Sequence, residues 1–285
     1  MILITGATGT NGRELIQQLT ASGHRVRAMV RNPAKSTELA APNVELIAGD
    51  FEQPASLDAA LKGVDRAFLL TPVSAHAVKW QTAFIEAAKR AGVRYLLKFS
   101  GMGATQANPS EIMRQHAKSD SILQRSGIPH TILQPNSFYQ NTLWSAGTIK
   151  GANAFYLPFK DAKQSVVDVR DINAIAAKVL TGSGHEGKTY LITGPEALTC
   201  QQMAETLTKV LDRPIHYVNV PLSAAEDGMR QMHMPEWNVK ALSDLYDYFA
   251  SGAAASVTDT VRQLLGRPPI TFEQFCRDHQ AAFQP

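Results

Sequence analysis

Gly6, Gly9 and Gly12 lie at regular intervals in MILITGATGTNG, after an apolar run at residues 2–5 and before an amphipathic segment that begins at Arg13. A strand that turns through glycines into a helix leaves backbone N–H groups unpaired at the helix N-terminus. The helix dipole favours an anion there, and glycine lets the anion come close to the backbone. Gly6, Thr8, Gly9, Thr10, Asn11 and Gly12 are thus candidate ligands of a dinucleotide pyrophosphate. The spacing is GxxGxxG, one residue longer than GxGxxG in its first interval. A glycine triplet alone is a weak signal; its place between a strand and a helix, at the head of a βαβ series, gives it meaning.

The next residues sort the cofactor. An acidic side chain at the end of the second strand would bind the ribose 2′-hydroxyl of NAD. This chain has Arg31 there, with Lys35 nearby and no carboxylate between them. A guanidinium attracts a 2′-phosphate through charge-assisted bonds, which favours NADP(H); the competing reading is a solvated arginine in the turn at Asn32-Pro33. Asp50, followed by Phe51, ends the third strand, where its carboxylate either accepts from an adenine amino group or caps the following helix. Phe51, and Leu70, Thr71 and Pro72 at the end of the fourth strand, are further cofactor candidates. Lys98 stands on the fifth strand, in a sheet interior that is costly for an ammonium without a polar partner. It either reaches the cleft mouth, as a catalytic candidate, or forms a structural pair.

A regular alternation of elements must position these side chains. Leu15, Ile16 and Leu19 recur at helical spacing up to Gly23, and residues 24–30 form a second strand. Strands at 44–48, 67–70, 93–99 and 130–133 then alternate with helices around Leu57–Leu61, at 77–91 and at 111–125. This rhythm predicts an α/β fold, a doubly wound parallel sheet with ligands beyond the carboxyl ends of its strands. Past residue 136 it loosens, with expected strands at 166–169, 189–192 and 216–220 and helices at 239–249, 257–265 and 272–283. The expected division is an NADP-binding domain at 1–150 and a smaller, mostly helical substrate subdomain at 151–285, some of whose segments return to the sheet. Met229, Met232, Met234 and Trp237 around Pro235, like Tyr246, Tyr248 and Phe249, either line a soft apolar pocket or fill the core.

Composition narrows the partners. With 28 basic against 25 acidic residues and no run of like charge, nothing points to nucleic acid. Cys200 and Cys276 match no zinc or redox spacing, so reduced thiols and no metal are expected. No signal segment and no apolar run of about 18 residues is present, which predicts a cytoplasmic chain outside the membrane.

Taken together, GATGTNG, VRNPAK, GDFEQPASLDAALKGVD, SILQRSGIPHTILQPNSFYQN, GHEGKTYLITG and LLGRPPITFEQF resemble the NmrA-like family, atypical members of the short-chain dehydrogenase/reductase superfamily, over nearly the whole chain. The resemblance implies an extended Rossmann fold and NADPH. It leaves the reaction open, because relatives include quinone, dye and isoflavone-type reductases as well as redox-sensing regulators.

Most enzymes of the superfamily use a Tyr-x-x-x-Lys pair on the helix after strand five, the lysine lowering the tyrosine pKa for proton transfer. Here the only such spacing, Tyr156 to Lys160, contains Pro158 and lies elsewhere. His116 and Asp120 occupy the places of the pair, one turn apart on one helix face. His116 resembles a histidine of the family's reductases, which implies either a proton donor or a hydrogen bond to the nicotinamide ribose; packing at the cleft wall is the alternative. Ser100 resembles the superfamily's catalytic Ser/Thr and doubles as a cofactor ligand, or else is a turn former. Asn136 and Tyr139 resemble the segment beside the nicotinamide, Asn136 as a cofactor ligand and Tyr139 as a cover for the ring or a guide for substrate, with packing as its alternative.

These features predict NADPH-dependent hydride transfer to a small conjugated acceptor such as a quinone, dye or enone, by a monomer or homodimer. Such acceptors need alignment and exclusion of water more than a dedicated acid. A non-catalytic NADP(H) sensor is the second reading. A sugar-nucleotide epimerase is disfavoured by the missing Tyr–Lys pair.

Overall fold

The computed structural model describes residues 1–285. Its elements begin β1 (Ile2–Ile4), α1 (Thr10–Ala21), β2 (Val26–Val30), β3 (Val44–Ala48), α2 (Pro54–Leu61), β4 (Arg66–Leu69), α3 (Ala77–Arg90), β5 (Tyr95–Phe99), α4 (Glu111–Arg125) and β6 (His130–Pro135). They continue α5 (Ala146–Ala152), β7 (Ala154–Leu157), α6 (Val169–Thr181), β8 (Thr189–Ile192), α7 (Cys200–Leu211) and β9 (His216–Asn219). The helices α8 (Leu222–Gln231), α9 (Glu236–Ala250), α10 (Thr260–Leu265), α11 (Phe272–Asp278) and α12 (Gln280–Phe283) complete the chain.

The main sheet has the order β3-β2-β1-β4-β5-β6-β8, and the pairs from β3 through β6 are all parallel. Successive parallel strands require helical crossovers, and the order reverses beside β1, so the switch point lies between β1 and β4 at their carboxyl ends. The near-continuous apolar character of β1, β4 and β5 fits strands covered on both faces. Helix α1 buries Leu15, Ile16 and Leu19, and α3 buries Phe84, Ile85 and Ala88, each set repeating every three to four residues. The α3 side chains join Leu3, Leu57, Leu69, Leu96, Leu123 and Ile132 in one core cluster, where each large apolar residue contributes roughly 1.5–3 kcal/mol by burial.

The chain divides into two compact units. The first comprises residues 1–106, 115–134 and 173–190, the second residues 107–114, 135–172 and 191–285. The chain therefore crosses between them several times, with residues 173–190 returning to the first unit. In the second unit β7 and β9 form a separate parallel pair, and α7 starts from a capping box in which Thr199 and Gln202 satisfy each other's backbone N–H groups. Its core includes Phe159, packed edge-on against Tyr246 and Phe249, and the stacked pair Phe272 and Phe275.

Several expectations need correction. The run at 166–169 is cut to an isolated parallel bridge between Val167 and Phe138, because the Asp168 carboxylate accepts from the Arg170 N–H at 2.8 Å and opens α6. Helix α8 was hidden in a polar stretch, and the expected helix at 272–283 breaks at His279 into two. Of the methionine–tryptophan group, Met229 is buried and Trp237 packs on Ile112, Met113 and Ala241, in line with the core alternative, while Met232 is exposed. Both cysteines are free and buried, and burial raises both thiols, that of Cys200 to about 12. No helix is long and apolar enough to cross a membrane.

Candidate active site

The first unit gathers its candidate residues at the carboxyl ends of β1, β2, β4 and β5. Gly6 has φ +63°, a left-handed conformation that strains any residue with a Cβ. A Cβ on Gly12 would lie 2.2 Å from the Gly6 carbonyl oxygen and 2.7 Å from Ala7 Cα, so only glycine lets α1 start this close to the loop. Gly9 differs: its backbone is extended, and its nearest neighbour to a Cβ would be the Gly6 oxygen at 3.4 Å. Thus Gly6 and Gly12 shape the loop while Gly9 leaves open space. The start of α1 has no side-chain cap and no acidic residue in its first turn. Thr8 and Thr10 are exposed, whereas Asn11 is buried and accepts a hydrogen bond from Asn173 at 3.0 Å. Thr5 ties the ends of β1 and β4 together by donating to the Leu70 carbonyl and accepting from the Leu70 N–H.

Arg31 and Lys35 are exposed, and neither side chain makes an ion pair or hydrogen bond. The Asn32 carboxamide accepts from the Ala34 N–H and shapes the turn between them. Asp50 accepts from the Glu52 N–H at 3.0 Å, a local turn bond that uses one carboxylate oxygen. Phe51 stacks on Trp80 with ring centroids 6.2 Å apart. Thr71 accepts from Gln81 at 2.8 Å, and Pro72 is exposed. An uncapped helix start, a loop that one Cβ would fill and two unpaired cations at the end of β2 fit a dinucleotide with a 2′-phosphate.

At the end of β5, the wholly buried Lys98 pairs with Asp120, whose side chain keeps 9% exposure, with Nζ 2.6 Å from Oδ1, and the Ser100 hydroxyl donates to the other carboxylate oxygen at 2.7 Å. Gln134 adds a longer contact at 3.3 Å. Lys98 is 0% exposed; burial lowers its pKa and the Asp120 charge opposes that. Lys98 therefore does not reach a cleft mouth and is linked to Ser100 through the Asp120 carboxylate. His116 lies one turn before Asp120, with an enclosed Nδ1 that has no hydrogen-bond partner. Burial lowers its pKa to about 3, with Lys98 adding to the effect. A ring held so low is neutral near pH 7, which suits a hydrogen bond from the neutral imidazole or packing at the cleft wall. A cavity of about 220 Å³ opens beside Asp120, lined by Thr105, Gln124, Ile132 and Gln134.

Asn136 and Tyr139 belong to the second unit and are both engaged in its packing. The Asn136 carboxamide donates to Ser165 and to the Ala254 carbonyl at 2.8 Å each, and accepts from the Ser137 N–H. Tyr139 is 1% exposed, wedged against Phe272 and Phe275 at 5.2 and 5.6 Å. Its ring therefore presents no face to a ligand. Conversely, Asp120 is the hub of the buried network, and its spacing from His116 was the only sequence signal for it.

A family model described as the NmrA-like family matches residues 1–275. The chain is 40% identical over 283 residues to an NAD(P)H azoreductase of Xenophilus azovorans, covering 99% of each. It is 36% identical over 286 residues to a (4-alkanoyl-5-oxo-2,5-dihydrofuran-3-yl)methyl phosphate reductase of Streptomyces griseus, covering 100% of each. Its fold matches the crystal structure of an NADPH-dependent quinone oxidoreductase of Escherichia coli in complex with NADPH, with a TM-score of 0.88 and 30% identity over 99% of this chain and 100% of that one.

Proposed function

This chain belongs to the NmrA-like family, and from that premise we propose that it is an NADPH-dependent oxidoreductase whose acceptors are small conjugated molecules such as quinones or azo and other dyes. The observation that carries the cofactor is the pair of unpaired cations, Arg31 and Lys35, beside an uncapped helix start. The names of its relatives, an azoreductase and a quinone oxidoreductase, support the acceptor class.

When bound, the cofactor supplies a hydride from its nicotinamide ring. The chain's own contribution is placement. The N–H groups at the start of α1 hold the pyrophosphate, with Gly9 leaving room for it, and Arg31 and Lys35 hold the 2′-phosphate. Lys98 and Asp120 pin the Ser100 hydroxyl, so that Ser100 offers its lone pairs in one direction to cofactor or substrate. His116, neutral at working pH, serves as a hydrogen-bonding wall rather than an acid. Where the superfamily keeps a tyrosine acid activated by lysine, this chain has a neutral imidazole and an ion-paired carboxylate. Such a site suits acceptors that take a hydride without a strong acid. The two buried free thiols support a reducing, cytoplasmic setting.

The test is turnover of purified protein with NADPH against a panel of quinones and azo and triphenylmethane dyes, followed by loss of nicotinamide absorbance under anaerobic conditions. Acceptor-dependent oxidation of NADPH supports the proposal. Tight NADPH binding without turnover of any acceptor would convert it into a binding protein.

A further inference from the structure

The segment between β2 and β3 carries Arg31, Lys35 and a single carboxylate, Glu38. That carboxylate does not face Arg31 or Lys35 as an ion-pair partner. It pairs instead with Arg13, the residue that follows Gly12 in the first turn of α1, at 2.7 Å. The Arg13 Nε donates to the Thr8 carbonyl, also at 2.7 Å. One guanidinium therefore joins the glycine loop to the segment that bears Arg31 and Lys35. A ribose 2′-phosphate has to lie between these two features when the pyrophosphate rests on the loop.

Arg13 and Glu38 are 46% and 43% exposed. An ion pair in that setting is screened, contributes little and exchanges readily. A guanidinium–phosphate contact is charge-assisted and bidentate, and thus stronger.

We propose that Arg13 is a third cation of the 2′-phosphate subsite, held by Glu38 in the free protein and transferred to the phosphate when NADPH binds; this rests on the NADPH reading above. NADH lacks the 2′-phosphate and leaves the Arg13–Glu38 pair closed. Arg13 thereby adds to discrimination between the two cofactors without adding to affinity for the dinucleotide as such. Glu38 acts in the opposite sense, as a competitor that NADPH must displace.

The two partners of this ion pair therefore have effects of opposite sign, which a simple tether cannot produce. Dissociation constants of NADPH and NADH are measured by nicotinamide fluorescence, and those of adenosine 2′,5′-bisphosphate and adenosine 5′-monophosphate by calorimetry, none of which requires turnover. Loss of one charge-assisted phosphate contact predicts that Arg13→Ala weakens NADPH and the bisphosphate by about 5- to 20-fold and NADH by less than about 2-fold. Arg13→Gln, which keeps a polar side chain but drops the charge, should behave alike. Glu38→Gln should tighten NADPH by about 2- to 5-fold and leave NADH unchanged, because Arg13 is then free before binding. The salt dependence of NADPH binding should be shallower in Arg13→Ala. If both Arg13→Ala and Glu38→Gln weaken NADPH, or if Arg13→Ala weakens both cofactors equally, the pair is only a tether and the proposal is overturned. A wild-type protein that binds NADH as tightly as NADPH would instead overturn the NADPH reading itself.

Discussion

Replacing Lys98 by methionine would leave Asp120 as a buried carboxylate with only the Ser100 hydroxyl and the distant Gln134 amide to satisfy it. Replacing Asp120 by asparagine would strand the Lys98 ammonium in a site with 0% exposure. Removing one member of a buried ion pair typically costs about 3–5 kcal/mol, because the remaining charge stays desolvated. At roughly 2.1 cal/mol/K of unfolding entropy per residue over 285 residues, each kcal/mol shifts the melting midpoint by about 1.7 °C, so each single variant should melt about 5–8 °C below wild type. The double variant Lys98→Met/Asp120→Asn removes both charges together and should be more stable than either single variant, with a coupling energy of at least ~2 kcal/mol. Urea denaturation of the four proteins closes the cycle. If each single variant loses under ~1 kcal/mol and the losses add, the pair is not the desolvated, mutually dependent unit described above.

Three further outcomes follow from the geometry. Gly12→Ala forces a Cβ to within 2.2 Å of the Gly6 oxygen and should destabilise the fold by about 1–3 kcal/mol or more through overpacking; Gly9→Ala has room and should fold within ~1 kcal/mol of wild type yet lose NADPH affinity, the two being separated by denaturation and fluorescence titration. Arg31→Asp should weaken NADPH at least ~10-fold more than NADH, because it removes a phosphate partner and adds repulsion; equal losses in parallel titrations would remove Arg31 from the 2′-phosphate site. For His116 the folded pKa, about 3, lies below the ordinary value of 6.5, so as pH falls below 6.5 the unfolded chain takes up a proton that the folded chain refuses. Between pH 7 and pH 5 this should cost about 2 kcal/mol of stability that His116→Asn does not lose, and identical pH profiles for the two proteins would contradict the burial of that ring.

Much of the first unit was legible because its signals are local. Glycine spacing, the three-to-four-residue recurrence of Leu15, Ile16 and Leu19, and the basic end of β2 each depend on neighbours within a turn or a strand. The network at Ser100 was only partly legible: Lys98 announces a need for a partner, but that partner is 22 residues away and is chosen by how α4 lies on β5. The surroundings of Asn136 and Tyr139 were illegible for the same reason. Asn136 is claimed by the Ala254 carbonyl 118 residues on, and Tyr139 by the aromatic side chains of α11; no short-range pattern reports either contact. The run at 166–169 shows a different failure, since its valines suit a strand while the single Asp168 caps a helix, and the cap decides.

The most direct test of the proposed chemistry is stereospecifically deuterated NADPH with a quinone or azo acceptor under anaerobic conditions. Acceptor-dependent oxidation that is slowed by deuterium on one face of the nicotinamide, with NADH a poorer donor, is the predicted result. NADPH that binds tightly and stays reduced with every acceptor would contradict it.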